Sequence, residues 1–107
     1  MIKFIFMKYI ISESQLEKFM KSYLDNFLET KVMYKQDPFI VIEDHFIDDY
    51  QASPQYMEHD RTDGRLWVNR KFFESFCKIF GCSREYGIYF ITHWFENKFE
   101  VDVKFVE

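Results

Sequence analysis

Glycine, proline and cysteine are scarce in this chain, whose 107 residues include three Gly, two Pro and two Cys. P-loop and Rossmann nucleotide sites need clustered glycines, whereas Gly64, Gly81 and Gly87 are scattered. Two cysteines are too few for a disulfide framework, and their spacing, with no histidine pair, does not match a zinc site. We therefore expect no cofactor, no bound metal and reduced thiols, with Cys77 as a buried, inert one.

Long apolar runs are also lacking. The opening segment Met1–Lys8 is interrupted by lysine and has no small-residue cleavage site, so we expect no signal peptide. No stretch approaches the length needed to cross a bilayer.

The chain is rich in apolar and aromatic residues, at 48% and 21%, which argues against disorder. At this length, residues 1–107 are predicted to form a single domain with an aromatic core. As an alternative, the surplus of rings indicates a protein interface.

Apolar periodicity predicts an α+β fold. A capping box at Ser12–Gln15 starts a helix that extends to Leu28, with Phe19 on its apolar face. An Asp-Gly pair and a Gln-Asp-Pro turn indicate two hairpins. We predict three helices packed on a mainly antiparallel sheet. The predicted strands are 8–11, 32–35, 39–43, 56–60, 65–68 and an alternating strand 99–105, and the second and third helices, capped by Asn69 and Ser83, are 70–80 and 84–97.

Charge is segregated in the middle of the chain. Lysine and arginine are absent from residue 36 to residue 60, and a basic segment follows directly. Three interpretations are open: two solvated faces that pair with each other, an acidic docking surface for a basic partner, or a divalent-metal site made by Asp44, His45, Asp48 and Asp49. The candidate interaction surface consists of Glu43, Asp44, Asp48, Asp49, Glu58, Asp60, Arg61, Arg65 and Trp67.

One short motif is compatible with metal-dependent hydrolysis. Asp102 and Lys104 are two residues apart on the predicted last strand, and a further carboxylate, Asp44 or Asp63, would complete a metal site. A half-buried strand gives the same alternation without any catalytic role. His93, within an aromatic helix, is expected at the core or its boundary, near Glu96.

Two segments resemble known proteins. Residues 7–16 (MKYIISESQL) resemble the opening of many small proteins of tailed bacteriophages of the myovirus type, and residues 93–103 (HWFENKFEVDV) look like the close of some of them. The resemblance implies a phage origin and, by association, a role in the virion or in host takeover, in the host cytoplasm or the virion. It assigns no functional residue.

The leading hypothesis is a non-enzymatic phage protein that binds another protein, with self-association as a further expectation. A net charge of −4 argues against a nucleic-acid partner. The alternatives are a small metal-dependent nuclease or hydrolase, and an acidic DNA mimic that inhibits a host protein through Asp44, Asp48 and Asp49.

Overall fold

The structure, a computed structural model, describes residues 3–6, 9–44 and 55–107, with side chains described in 14–44 and 55–107. These residues form three helices and seven strands. The helices are α1 (Glu13–Glu29), α2 (Arg70–Phe80) and α3 (Arg84–Phe99), and the strands are β1 (Lys3–Phe6), β2 (Tyr9–Ser12), β3 (Val32–Gln36), β4 (Phe39–Glu43), β5 (Gln55–Asp60), β6 (Arg65–Val68) and β7 (Phe105–Val106).

A five-stranded sheet carries the helices on one face. Its order is β3-β4-β5-β6-β7, antiparallel through β6, with β7 parallel to β6. Strands β1 and β2 form a separate antiparallel pair next to α1. The predicted α+β class, with three helices on a mainly antiparallel sheet, is therefore confirmed.

The core lies between the helices and the side chains that alternate onto one face of the sheet. On that face, Ile40, His59 and Leu66 oppose one another across three strands. Helix α1 contributes Leu16, Met20 and Leu24, which recur every four residues and therefore form one buried stripe against the sheet. The buried apolar residues of the core are Leu16, Met20, Leu24, Ile40, Ile42, Met57, Leu66, Val68, Phe72, Phe76, Phe80, Ile91, Trp94, Phe95 and Phe99.

Two helix caps were predictable and are present. The Asn69 side chain accepts from the Phe72 amide and the Ser83 hydroxyl from the Tyr86 amide, which satisfies donors that each helix leaves unpaired. Gly81 ends α2 in a left-handed conformation with φ of 61°. The helix predicted from Ser12 begins one residue later, and the Ser12 side chain is outside the described part.

Cys77 on α2 is half-buried, and burial raises the pKa of its thiol to about 12, so the thiol stays protonated.

The strand predicted over 99–105 is wrong except at its last residue, because the strand here is β7 (Phe105–Val106), which pairs with β6. Helix α3 continues through Phe99, because the Phe99 ring packs against Phe95 with centroids 4.6 Å apart and is buried. Glu100 then leaves the helix with a left-handed φ of 54°. The side chain of Glu96 accepts from the Val103 amide at 3.0 Å, and its carbonyl accepts from the Val101 amide. Over residues 99–103, helix packing and these bonds replace the strand that the alternation predicted.

Two predicted apolar or boundary positions are exposed instead. Phe19 on α1 is 53% exposed, since it lies at the edge of a stripe whose buried members are Leu16, Met20 and Leu24. His93 is also exposed, with its Nδ1 3.4 Å from a Glu96 carboxylate oxygen. No helix among the described residues is long and apolar enough to cross a membrane.

Candidate functional site

A groove with a volume of about 630 Å³ lies between α1 and α3. It combines apolar walls with a few convergent polar groups, which is the usual composition of a binding site. Helix α1 contributes its charged side, and helix α3 contributes aromatic rings. The lining residues are Ser14, Glu17, Lys18, Lys21, Asp25, Tyr89, Phe90, His93, Trp94, Asn97 and Lys98.

Two side-chain hydrogen bonds tie the helices together below the groove. The Tyr86 hydroxyl donates to Glu17 at 3.1 Å, and the Trp94 indole N–H donates to Asp25 at 2.9 Å. The second bond lies eight residues after the first on both helices, so α1 and α3 run parallel.

Asp25 lies at one end of the groove and is the most strongly perturbed carboxylate in it. It accepts from Lys21 at 2.7 Å, and Lys98 is 3.0 Å away. The hydrogen bonds from Lys21 and Trp94 hold the pKa of Asp25 far below its ordinary value, with a smaller contribution from Lys98. The carboxylate is therefore ionised and already fully engaged by this chain.

The aromatic wall of the groove is exposed to solvent. The Tyr89 side chain is 56% exposed and meets the His93 ring edge-on, with centroids 4.4 Å apart. Tyr86 is a second ring neighbour of Tyr89, at 6.2 Å. Phe90 is half-buried, and Trp94 closes the floor. Exposed rings that contact one another on a helix surface are characteristic of a protein-binding patch.

The opposite wall carries positive charge. Lys18 and Lys21 come from α1 and Lys98 from the end of α3, against two carboxylates in the lining, Glu17 and Asp25. Both carboxylates accept hydrogen bonds from the chain itself, whereas Lys18 makes no ion pair with any described residue. The groove is therefore locally basic in a chain whose net charge is −4.

The candidate surface predicted from the acidic segment lies elsewhere, on the face of the sheet opposite the helices. Strand alternation brings Glu43, Glu58, Asp60, Arg65 and Trp67 to that face, with Glu58 directly across from Trp67 and Asp60 across from Arg65. The sequence could not indicate that these residues share a face, because their register depends on strand pairing.

Most charges of this surface are matched within the chain. Arg65 is 3.2 Å from Glu58 and 3.6 Å from the carboxylate of Glu107. The Asp60 side chain accepts from the Thr62 amide at 2.8 Å. Arg61 pairs with Asp37 at 3.2 Å, and both of these side chains are exposed. Such partly exposed pairs contribute about 0–1 kcal/mol each. Local pairing, the first of the three interpretations, accounts for these contacts.

Asp44 is bonded within the chain, and Glu43 is buried. Asp44 accepts from Lys31 at 2.7 Å and from the Tyr56 hydroxyl at 2.7 Å, while the Lys31 ammonium lies over the rings of Phe27 and Tyr56. The hydrogen bond to Asp44 raises the pKa of Lys31, so its ammonium group stays charged. Glu43 is only 6% exposed. The remaining members of the predicted surface and metal site, His45, Asp48 and Asp49, lie outside the described residues.

A second, polar pocket of about 380 Å³ brings together part of the predicted hydrolytic motif. Asp63, Asp102 and Lys104 line it, and the buried ring of His59 forms part of its base. The His59 Nε2 is 3.2 Å from the Asp102 carbonyl, and its Nδ1 has no described partner. Asp44 is not in this pocket. Within the described ranges, no three His, Cys, Asp or Glu side chains converge to hold a metal ion.

Sequence reasoning missed the groove, although a signal for it was present. Apolar residues surround most of α3, a pattern that favours burial on several sides. The structure buries Ile91 and Phe95 but leaves Tyr89 exposed. The tyrosine and histidine residues among the apolar positions of α3 indicate that one side of this helix lies at the surface.

Comparisons with family models, curated proteins and solved structures find no match to this chain.

Proposed function

We propose that this protein is a non-enzymatic binding module that accepts an acidic amphipathic helix of a partner protein in the groove between α1 and α3. The observation that carries the proposal is an exposed aromatic wall, centred on Tyr89, facing a lysine wall formed by Lys18 and Lys21. Helices that bind in grooves use an apolar face with anchors at i, i+3, i+4 and i+7.

Charge decides the character of the partner. The lining has three lysines and two carboxylates, a net charge of +1. Lys21 and Lys98 pair with Asp25, so Lys18 is the lysine of the lining without an ion pair among the described residues. An acidic partner would therefore meet a complementary wall, and a basic one would meet lysines. Electrostatic complementarity of this kind contributes mainly to specificity and to the association rate.

The dimensions of the groove fit a short helix. On α1 the lining extends from Ser14 to Asp25, which corresponds to about 16 Å at 1.5 Å per residue. A partner helix of about three to four turns would cover it. Its apolar residues would contact Tyr89 and Phe90, and its carboxylates would lie along α1. The resemblance to phage proteins, which nothing else supports, would make this a virion or accessory role.

Selection from a library of random peptides, with the full chain as bait, tests the proposal. We expect enriched peptides to be acidic and amphipathic, with apolar residues at helical spacing. Tyr89→Ala is expected to weaken their binding by about 5- to 30-fold, because an exposed aromatic anchor is worth about 1–2 kcal/mol. Lys18→Glu is expected to weaken them further as salt is lowered, because the like charges are then less screened.

Phe19→Ala is the matched control. Phe19 is as exposed as Tyr89 and lies on α1, but it points to the side of the helix away from the groove lining. Binding that is unchanged in Phe19→Ala and lost in Tyr89→Ala supports the groove. Peptides that tolerate both Tyr89→Ala and Lys18→Glu, or that carry net positive charge, would count against it.

A further inference from the structure

Strand β3 forms an open edge of the five-stranded sheet in the described structure. Its residues from Met33 to Gln36 are exposed, with Met33 at 40% and Tyr34 at 37%. Such an edge offers main-chain donors and acceptors to another strand. The edge belongs to the sheet, whereas the groove described above is lined by α1 and α3.

The register of β3 shows which of its main-chain groups point outward. The Arg61 amide donates to the Pro38 carbonyl at 2.9 Å, which makes the opposed residues Phe39 and Asp60 a non-hydrogen-bonded pair. The main chain of Phe39 therefore faces β3, where it pairs with Gln36. By alternation, Tyr34 also faces β4.

It follows that Met33 and Lys35 direct their N–H and C=O groups away from the sheet. These two residues present four hydrogen-bonding groups at the free edge, two donors and two acceptors. They are separated by one residue, which is the spacing that an antiparallel neighbour strand requires.

We propose that β3 pairs with β3 of a second copy of this chain, antiparallel, with Tyr34 on the two-fold axis. Met33 of each copy then lies opposite Lys35 of the other, and four main-chain hydrogen bonds form. The two Tyr34 side chains meet as a non-hydrogen-bonded pair, the closer type of cross-strand pair. The result is one continuous ten-stranded sheet across the dimer.

Charge disfavours the two neighbouring registers, in which Lys35 or Met33 lies on the two-fold axis. Centring the pair on Lys35 places two lysines directly opposite each other, and centring it on Met33 places Lys35 opposite Lys31 twice. Like charges directly opposite destabilise a sheet. Centring on Tyr34 avoids both contacts.

Single cysteine substitutions can identify the register. In the proposed dimer the two residues at position 34 have Cα atoms about 4.5 Å apart, within disulfide range. The residues at position 33 are offset by two positions, about 8 Å, which is outside it. Under mild oxidation at a concentration of about 1 mM, we expect Tyr34→Cys to form a covalent dimer at least about 10-fold faster than Met33→Cys or Lys35→Cys.

Wild-type protein, which contains Cys77 and Cys82, reports any dimer formed through the native thiols. Preferential cross-linking of Met33→Cys or Lys35→Cys would overturn the register, and equal rates in all three variants would overturn the pairing.

A second measurement does not depend on disulfides. Sedimentation of the wild type between about 10 μM and about 1 mM is expected to show a monomer–dimer equilibrium. Met33→Pro removes an outward donor and spares the pairing of β3 with β4, so dimerisation should be lost while the protein stays folded. Met33→Thr keeps the donor and should still dimerise. A wild type that stays monomeric throughout, or dimerisation that survives Met33→Pro, refutes the proposal.

Discussion

Replacing Asp25 tests whether the floor of the groove is held by this carboxylate. Asp25→Ala removes the acceptor of the Trp94 indole N–H and both lysine contacts. Asp25→Asn keeps an oxygen that can accept from Trp94 but removes the charge. The two variants therefore separate the hydrogen bond from the ion pairs.

The expected magnitudes follow from exposure. Trp94 is 6% exposed, so an indole N–H without an acceptor costs about 1–3 kcal/mol. Lys21 and Lys98 are 67% and 38% exposed, and pairs of this kind contribute about 0.2–1 kcal/mol each. We expect Asp25→Ala to lower the free energy of unfolding by about 2–4 kcal/mol, and Asp25→Asn by about 1 kcal/mol.

The assay is urea denaturation followed by tryptophan fluorescence, repeated across acid pH. Folding lowers the pKa of Asp25 from its ordinary value of 3.8. The stabilisation by the ionised carboxylate is therefore fully present above the pKa of the unfolded chain, and it is lost progressively as the pH falls below about 5. Asp25→Asn lacks this titration. The stability difference between the wild type and Asp25→Asn should therefore shrink on acidification.

Glu29→Ala, a change at an exposed carboxylate on the same helix, serves as the control and should stay within about 0.5 kcal/mol of the wild type. If Asp25→Ala were as stable as this control at pH 7, or if the gap between the wild type and Asp25→Asn were independent of pH, the account of the groove floor would be wrong.

Two further predictions concern the helix packing and the hydrolytic alternative. Gly87→Ala should destabilise the protein by about 1–3 kcal/mol in urea denaturation, because the added Cβ would lie 2.6 Å from the Cys77 Sγ; unchanged stability would contradict the close approach of α2 and α3. Mg²⁺ or Mn²⁺ should produce no thermal shift and no nucleic-acid cleavage, whereas a metal-dependent shift that Asp102→Ala or Lys104→Ala abolishes would favour the hydrolase.

Local sequence signals predicted the elements whose determinants are local. Asn69, Ser83 and Gly81 fix the ends of two helices through bonds or conformations within a few residues, and the structure has these boundaries. Strands β4 and β6 were predicted with the bounds the structure gives, because their apolar runs lie between turn residues.

Features that depend on distant contacts were not predictable in this way. Phe99 fits a helix and a strand equally well until Phe95 is known to lie against it. His59 gave no sign of burial, since its position in the sheet core is set by pairing with Ile40 and Leu66. The groove itself depends on α1 and α3 lying side by side, although the two helices are separated by more than fifty residues in the chain.

The central claim is that the groove between α1 and α3 is where a partner binds. The most direct measurement is an NMR titration of the isotope-labelled full chain with an acidic helical peptide taken from the selection. The account predicts that the largest amide shifts fall on the groove residues of α1 and α3, around Lys18 and Tyr89. Shifts concentrated instead on the opposite face of the sheet, around Glu58 and Trp67, would contradict it.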